Sequence, residues 1–179
     1  VIDGAERSFV YQEGINNHSV TIIPLLQEML DKDGIKLSEL DEVVIGIGPG
    51  SYTGVRIGVT VAKMIGYLNN IKVRKVSSLA LIASASQSKY VMPFIDARRG
   101  NAFIALLEQS DSTLKYLETD ILDNIDDFKS KYSFEYDFIS DGKPNVLKIL
   151  ASNLLEVVED INDLQPNYLR ITEAERNKR

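Results

Sequence analysis

Three stretches of the chain have residue types and spacings that could do chemistry. Gly46-Ile47-Gly48-Pro49-Gly50-Ser51-Tyr52-Thr53-Gly54 is glycine-rich and lies between a strand-like run and a helix-like run. Glycines there can cradle a phosphate, because backbone N–H groups converge at a helix N-terminus. The details fit poorly. A dinucleotide fingerprint needs Gly-x-Gly-x-x-Gly, and Ser51 stands in the third glycine's place. A Walker loop needs a Gly-Lys pair, which is absent nearby, and Pro49 has no N–H to offer. A structural turn is the simpler reading. In Asp96-Ala97-Arg98-Arg99-Gly100, two arginines at a hairpin tip could grip a carboxylate or a phosphate. The plainer alternative is a solvated turn with Asp96 pairing one of them. His18 stands beside a helix cap, where packing or capping is its commoner use.

The rest of the catalytic vocabulary is thin. The 179 residues include no cysteine and one histidine, which removes a thiolate nucleophile, a disulfide framework and any site with two imidazole ligands. No Gly-x-Ser-x-Gly elbow or Ser-His-Asp order is present. Hydrophobic residues make up 44% and charged residues 26%, which matches a chain that packs a core. Apolar runs such as Val43–Ile47 and Leu79–Ala83 are too short to span a bilayer, and no signal-peptide pattern opens the chain. A cytoplasmic protein with no membrane contact is expected. The formal net charge of −6 lacks the basic excess of a nucleic-acid binder, so in a nucleic-acid pathway another subunit supplies most phosphate contacts.

The elements that position these residues alternate. Val1–Asp3 and Ser8–Tyr11 read as short strands, and the absence of an initial methionine reads as a piece that has lost segments. Asn17 or Ser19 caps a helix over His18–Asp33 with Ile22, Ile23, Leu26, Met29 and Leu30 at helical spacing; Pro24 bends its early turns and Gly34 ends it. Asp41–Ile47 reads as a buried strand, Thr53–Leu68 as a helix, Ile71–Val76 as a strand and Ser78–Ser86 as a helix capped by Ser77 or Ser78. After a boundary near Gln87–Tyr90, strands are expected at Val91–Ile95, Ala102–Leu107 and Tyr116–Ile121, and a helix at Asn124–Tyr132. A strand at Phe134–Ser140, a helix at Asn145–Val158 and an extended Gln165–Arg170 follow. This is an α/β pattern with some parallel pairing, divided into domains 1–88 and 89–179.

The helix after the glycine-rich stretch carries an anomaly. Gly54, Gly58, Ala62 and Gly66 recur every four residues and share one face. Each glycine inside a helix costs about 1 kcal/mol relative to alanine, so something must offset them. Val55, Ile57, Val59, Val61, Met64, Ile65 and Leu68 make the helix apolar nearly all round, which asks for cover on two sides. One side can lie on its own sheet. The other needs a neighbouring helix, either of this chain or of another subunit, approaching closely over the small residues.

These stretches, in order, resemble the TsaB/YeaZ family. The carriers are Asn17-His18-Ser19 with Pro24, Gly48-Pro49-Gly50-Ser51-Tyr52-Thr53-Gly54-Val55-Arg56-Ile57-Gly58 running on to Ala62-Lys63, and Val76-Ser77-Ser78-Leu79. Asp96–Gly100 and Pro166-Asn167-Tyr168-Leu169-Arg170 with Glu173-Ala174-Glu175 complete them. The resemblance implies an actin, sugar-kinase and Hsp70-like (ASKHA) fold of two ribonuclease-H-like lobes. It implies a non-catalytic subunit with no cofactor that pairs with a TsaD-like catalytic paralogue and a TsaE-like ATPase. Together they transfer threonylcarbamoyl to the adenosine beside the anticodon in tRNAs reading codons that begin with A. The chain would meet tRNA only within that complex and pair with itself in isolation. The expected partner face comprises His18, Ile22, Leu26, Gly54, Arg56, Gly58, Ala62, Met64 and Gly66. The expected cleft or loop contacts are Gly48, Gly50, Ser51, Tyr52, Thr53, Asp96, Arg98 and Arg99. Two departures stand out: Asp3 runs straight into Gly4 where an Asp-Thr-Ser-like turn is expected, and Val157–Leu164 is short. The competing reading of the same fold is an ATP-binding phosphotransferase of the sugar-kinase or Hsp70 type. A peptidase ranks last.

Overall fold

The computed structural model describes residues 1–6, 8–10, 18–110 and 113–169, with the side chains of 18–20 left out. The expected strand at Ser8–Tyr11 does not form over Ser8–Val10, and Tyr11 lies outside the described residues. The first hairpin instead closes at once around Gly4, whose φ of 67° lets β1 (Ile2–Asp3) turn back on β2 (Ala5–Glu6). Ser8 is then occupied elsewhere: its carbonyl accepts the N-terminal amine of Val1 at 2.9 Å and its hydroxyl donates to Asp33 at 2.6 Å.

Helix α1 (His18–Asp33) contains Pro24 and stops at Gly34, whose φ is 68°. Ile35 N–H donates to the Leu30 carbonyl and Gly34 N–H to that of Asp31, which together make a Schellman stop. Strand β3 (Glu42–Gly46) lies parallel to β4 (Lys72–Val76), and α2 (Tyr52–Asn69) makes the crossover between them. Ser51 caps α2 by accepting Gly54 N–H, and Asn70, at φ 52°, ends it. Helix α3 (Ser78–Ala83) is shorter than its apolar pattern predicts. Ser84 turns its hydroxyl onto the Leu81 carbonyl at 2.7 Å, and the next amides make tight turns back to Ile82 and Ala83.

The second sheet runs β7 (Leu114–Asn124), β6 (Asn101–Gln109), β5 (Tyr90–Arg98), β8 (Asp137–Ile139), with β8 parallel to β5 and the others antiparallel. Helix α4 (Ile125–Ser130) follows β7 directly, capped by Asn124. The expected helix over Asn145–Val158 is cut to α5 (Val146–Ala151), because Ser152 caps the Ile149 carbonyl with its hydroxyl and adopts an extended backbone. The chain then returns to the first sheet. β9 (Glu156–Val157) pairs antiparallel with β4, and a short turn at Ile161–Asp163 lies on α2. Leu164 is buried with Val59, Ala62 and Val73, flanked by Val158 and Ile161. Tertiary burial thus overrides local helix propensity across 152–164. The largest apolar cluster joins the two sheets: Val76, Leu79, Ala80 and Ala83 meet Val91, Ala105, Leu107, Leu114 and Ile149.

Candidate partner interface

Helix α2 has two faces, and the structure divides them differently from the spacing argument. Val59 and Ala62 are buried on the chain's own sheet. A Cβ built on Gly66 would lie 2.6 Å from Val73 Cγ2, 3.2 Å from Ile161 Cδ1 and 3.2 Å from the Ile71 carbonyl oxygen. A Cβ on Gly58 would lie 3.2 Å from Ile45 Cδ1, and one on Gly54 would meet only its own cap, Ser51, at 3.4 Å. The small-residue stripe therefore admits the chain's own β3, β4 and the segment that returns after β9. Spacing alone leaves open whether the neighbour belongs to this chain or to another subunit, and the resemblance assigns it to a partner; here Gly66 is enclosed by its own chain, while Gly58 and Ala62 rest on the sheet and also line the groove beside α1. The periodicity is right, but the neighbour they admit is a sheet the same chain supplies.

The outward face of α2 is where apolar surface remains open. Tyr67 is 73% exposed, Leu68 71%, Met64 53% and Tyr52 52%, with Arg56 and Thr60 exposed between them. On α1, Ile23 is 48% exposed, while Ile22, Leu25, Leu26 and Met29 are half-buried. Between the two helices lies an apolar groove of about 320 Å³, lined by Ile22, Leu26, Met29, Val61, Ile65 and Ile45 among others. Ile22 and Leu26 thus line a groove, Met64 and Arg56 stand on the exposed face, and the His18 side chain lies outside the described residues. Tyr67 and Ile23 were not among the expected partner-face residues. Tyr67 is three residues beyond Met64 on the same face, so the helical period extended one turn would have found it.

At its N-terminal end the α2 face gains a residue from the far end of the chain. Tyr52 stacks on Tyr168 with ring centroids 5.2 Å apart and planes at 30°. The Arg56 guanidinium lies 5.2 Å from the Tyr52 ring centre and donates to its hydroxyl at 3.1 Å. Burial raises the Tyr168 phenol above its ordinary value, against the opposing pull of Arg56. Tyr168 arrives there because Asn167 N–H donates to the Ile47 carbonyl at 2.7 Å. No local pattern reveals that pairing; it depends on the return of residues 156–169.

The glycine-rich loop is held from within. Gly48, at φ 103°, donates its N–H to Ser78 Oγ at 3.1 Å and accepts Ser78 N–H on its carbonyl at 2.9 Å. The Gly54 N–H goes to Ser51. These amides face partners of the same chain, the arrangement of a structural turn. Nearby, a cleft of about 260 Å³ between the sheets is lined by Lys75, Ser77, Tyr116, Thr119, Asp120, Glu156 and Asn167 among others. Asp120 accepts the Ser77 hydroxyl at 2.5 Å and the Tyr116 hydroxyl at 2.9 Å. Burial pushes the Asp120 carboxyl above its ordinary value despite those two donors, and burial with the Asp120 charge pushes the Tyr116 phenol up as well. This cluster ties β7 to the start of α3, and the expected cleft residues did not include it. Asp96, Arg98 and Arg99 lie apart from it, at the β5–β6 hairpin.

Against this geometry stand the relatives. Residues 10–170 match the family described as TsaD, tRNA N6-adenosine threonylcarbamoyltransferase. The Bacillus subtilis tRNA threonylcarbamoyladenosine biosynthesis protein TsaB is 30% identical over 89% of this chain and 82% of its own length. The chain belongs to the TsaB family. The Escherichia coli protein of the same description is 31% identical over 53% of this chain and 43% of its own length. The fold is that of YeaZ from Pseudomonas aeruginosa, with a TM-score of 0.73, 20% identity and coverage of 86% of this chain and 85% of that one. A second Pseudomonas aeruginosa structure, of a protein with similarity to peptidase YeaZ, gives a TM-score of 0.72 at 20% identity, covering 87% and 85%. The ASKHA-type α/β expectation and the family resemblance both stand. Among the described residues no helix is long and apolar enough to cross a membrane.

Proposed function

We propose that the chain is a non-catalytic partner subunit of the cytoplasmic machinery that installs threonylcarbamoyl on adenosine in tRNA, and that α1 and the outward face of α2 dock a TsaD-like catalytic paralogue. The family supports the pathway, since the relatives are described as threonylcarbamoyladenosine biosynthesis proteins. The observation that carries the docking face is the run of exposed apolar side chains, Ile23, Met64, Tyr67 and Leu68, flanking an open apolar groove on two adjacent helices. Contiguous apolar surface of this kind marks an association site, and Tyr and Arg at its edge are the residue types that anchor one. In isolation the same face pairs with itself as a two-fold contact. A TsaE-like ATPase joins the pair, and tRNA is met within the assembly.

The test is titration of a TsaD-like subunit with the chain at low and high salt. An apolar seam gives pairing that persists at 0.5 M salt, because screening acts on charges and not on buried apolar area. No pairing at tens of micromolar, or pairing abolished by salt, contradicts the proposal.

A further inference from the structure

The β5–β6 hairpin tip takes the left-handed backbone conformation at three consecutive residues, with φ of 73° at Arg98, 57° at Arg99 and 75° at Gly100. Gly100 adopts this freely, whereas the two arginines are strained. Arg98 pairs with Asn101, so Arg99-Gly100 is a two-residue turn whose first position favours Asn or Gly. The register shifts between Asp96 and Arg98, a bulge at which glycine is the usual left-handed residue. Two arginines therefore occupy positions suited to smaller residues.

The backbone beneath them is pinned. Asp96 Oδ1 accepts Arg98 N–H at 2.7 Å, Asn101 Nδ2 donates to the Arg98 and Arg99 carbonyls at 3.4 and 3.3 Å, and Ile125 N–H donates to the Gly100 carbonyl at 3.0 Å. The side chains are not. Both arginines are exposed, and among the described residues neither guanidinium has a hydrogen-bond or ion-pair partner. The Asp123 carboxylate is taken by Lys131 at 2.9 Å. Asp126 and Asp127, at the start of α4, form no ion pair with either arginine. The expected pairing of Asp96 with an arginine head is replaced by its bond to the Arg98 amide.

A rigid tip that holds two unpartnered planar forks suits an oxyanion that each fork can grip through two parallel hydrogen bonds. Its surroundings favour phosphate over a partner protein's carboxylate. Arginines that anchor protein interfaces sit among apolar neighbours that exclude water. Here the groups that bond or touch the tip are Asp96, Asn101 and Asn124, with the half-buried Ile125 beneath, and none of them is an exposed large apolar side chain. A solvated tip whose two guanidinium groups are free among the described residues, despite carboxylates on neighbouring residues, is the form of a backbone-positioning contact. Resting on the proposed function, we propose that Arg98 and Arg99 grip the phosphate backbone of the tRNA bound by the assembled complex.

The experiment uses the chain assembled with its TsaD-like and TsaE-like subunits, an unmodified tRNA transcript reading codons that begin with A, and the double substitution Arg98→Gly, Arg99→Asn. Those residues suit the left-handed turn, so the variant is expected to melt no lower than the native chain. Assembly is expected to be unchanged. Affinity for tRNA is expected to fall on the order of tenfold, and the slope of log affinity against log salt by about one unit per arginine. Unchanged affinity and slope with assembly intact overturn the inference and leave the proposed function standing. Weakened assembly with normal tRNA affinity in the residual complex also overturns it, in favour of a carboxylate on the partner. Failure of the native chain to assemble removes the proposed function and this inference together. Should the double variant fold poorly, Arg98→Lys with Arg99→Lys, which keeps charge but loses the fork, must still weaken tRNA binding; equal binding overturns the inference.

Discussion

Replacing Tyr67 by alanine removes the most exposed large apolar side chain on α2. A tyrosine buries about 150–250 Å² when fully covered, so at 73% exposure about 110–180 Å² remains for a partner to cover. At about 25 cal/mol per Å², that is a gross gain of about 3–4.5 kcal/mol on docking. Ordering the ring and desolvating its hydroxyl take back part of it, and a net loss of about 2–4 kcal/mol is usual for an interfacial tyrosine near the centre of a patch. With a factor of ten for each 1.4 kcal/mol, affinity for the TsaD-like subunit should fall by about 30-fold to several hundred-fold. The chain itself should be nearly indifferent, within about 0.5 kcal/mol, because the side chain stands in solvent. Isothermal calorimetry reads the first quantity and urea unfolding the second. An affinity change smaller than threefold with a normally folded variant would refute the assignment of this face.

Other expectations follow from the inward face and the cleft. Gly66→Ala should destabilise the chain by about 1–3 kcal/mol in urea unfolding, since the added methyl meets Val73 at 2.6 Å and the Ile71 carbonyl at 3.2 Å. Gly58→Ala should be neutral or stabilising by up to about 1 kcal/mol, because its one close neighbour, Ile45 Cδ1, borders the open groove and can shift while the helix gains propensity; equal losses at both sites contradict the packing described. Leu164→Ala should cost about 2–5 kcal/mol, because that side chain fills the core of the first sheet from the far end of the chain; a loss under 1 kcal/mol would detach residues 156–169 from that core. Asp120→Asn tests the cleft. The folded carboxyl of Asp120 titrates above its unfolded value, so the native state binds that proton more tightly and the carboxylate's penalty is relieved as pH falls through the folded value. The native chain should therefore gain stability relative to the variant between neutral pH and the ordinary carboxylate range. Glu108 and Asp123, held low by Lys115 and Lys131, act in the opposite sense in both proteins and cancel in the comparison. A native chain that loses ground to the variant on acidification contradicts the burial of Asp120.

Where a signal was local, the sequence carried it. Gly34 and Ser77 mark helix ends because a left-handed stop and a side-chain cap are decided by one or two residues. The crossover from β3 through α2 to β4 follows from apolar runs whose period changes from strand to helix. What failed was long-range. Continuous apolar spacing reads 145–158 as one helix, yet Ser152 ends it and β4 offers Glu156 and Val157 a free edge. The glycines of α2 announce a close approach without naming the neighbour, and the neighbour is a sheet completed by residues 90 positions away. Tyr168 and Asp120 were unreadable for the same reason: each acquires its role from a contact whose partner lies more than 40 residues distant.

The most direct measurement is amide hydrogen exchange of the chain, free and bound to a TsaD-like subunit. Protection gained on binding should concentrate in α1 and α2, residues 18–33 and 52–69, with Ile23, Met64 and Tyr67 at the covered surface. Protection confined to the second sheet, with both helices exchanging as they do in the free chain, would place the partner elsewhere.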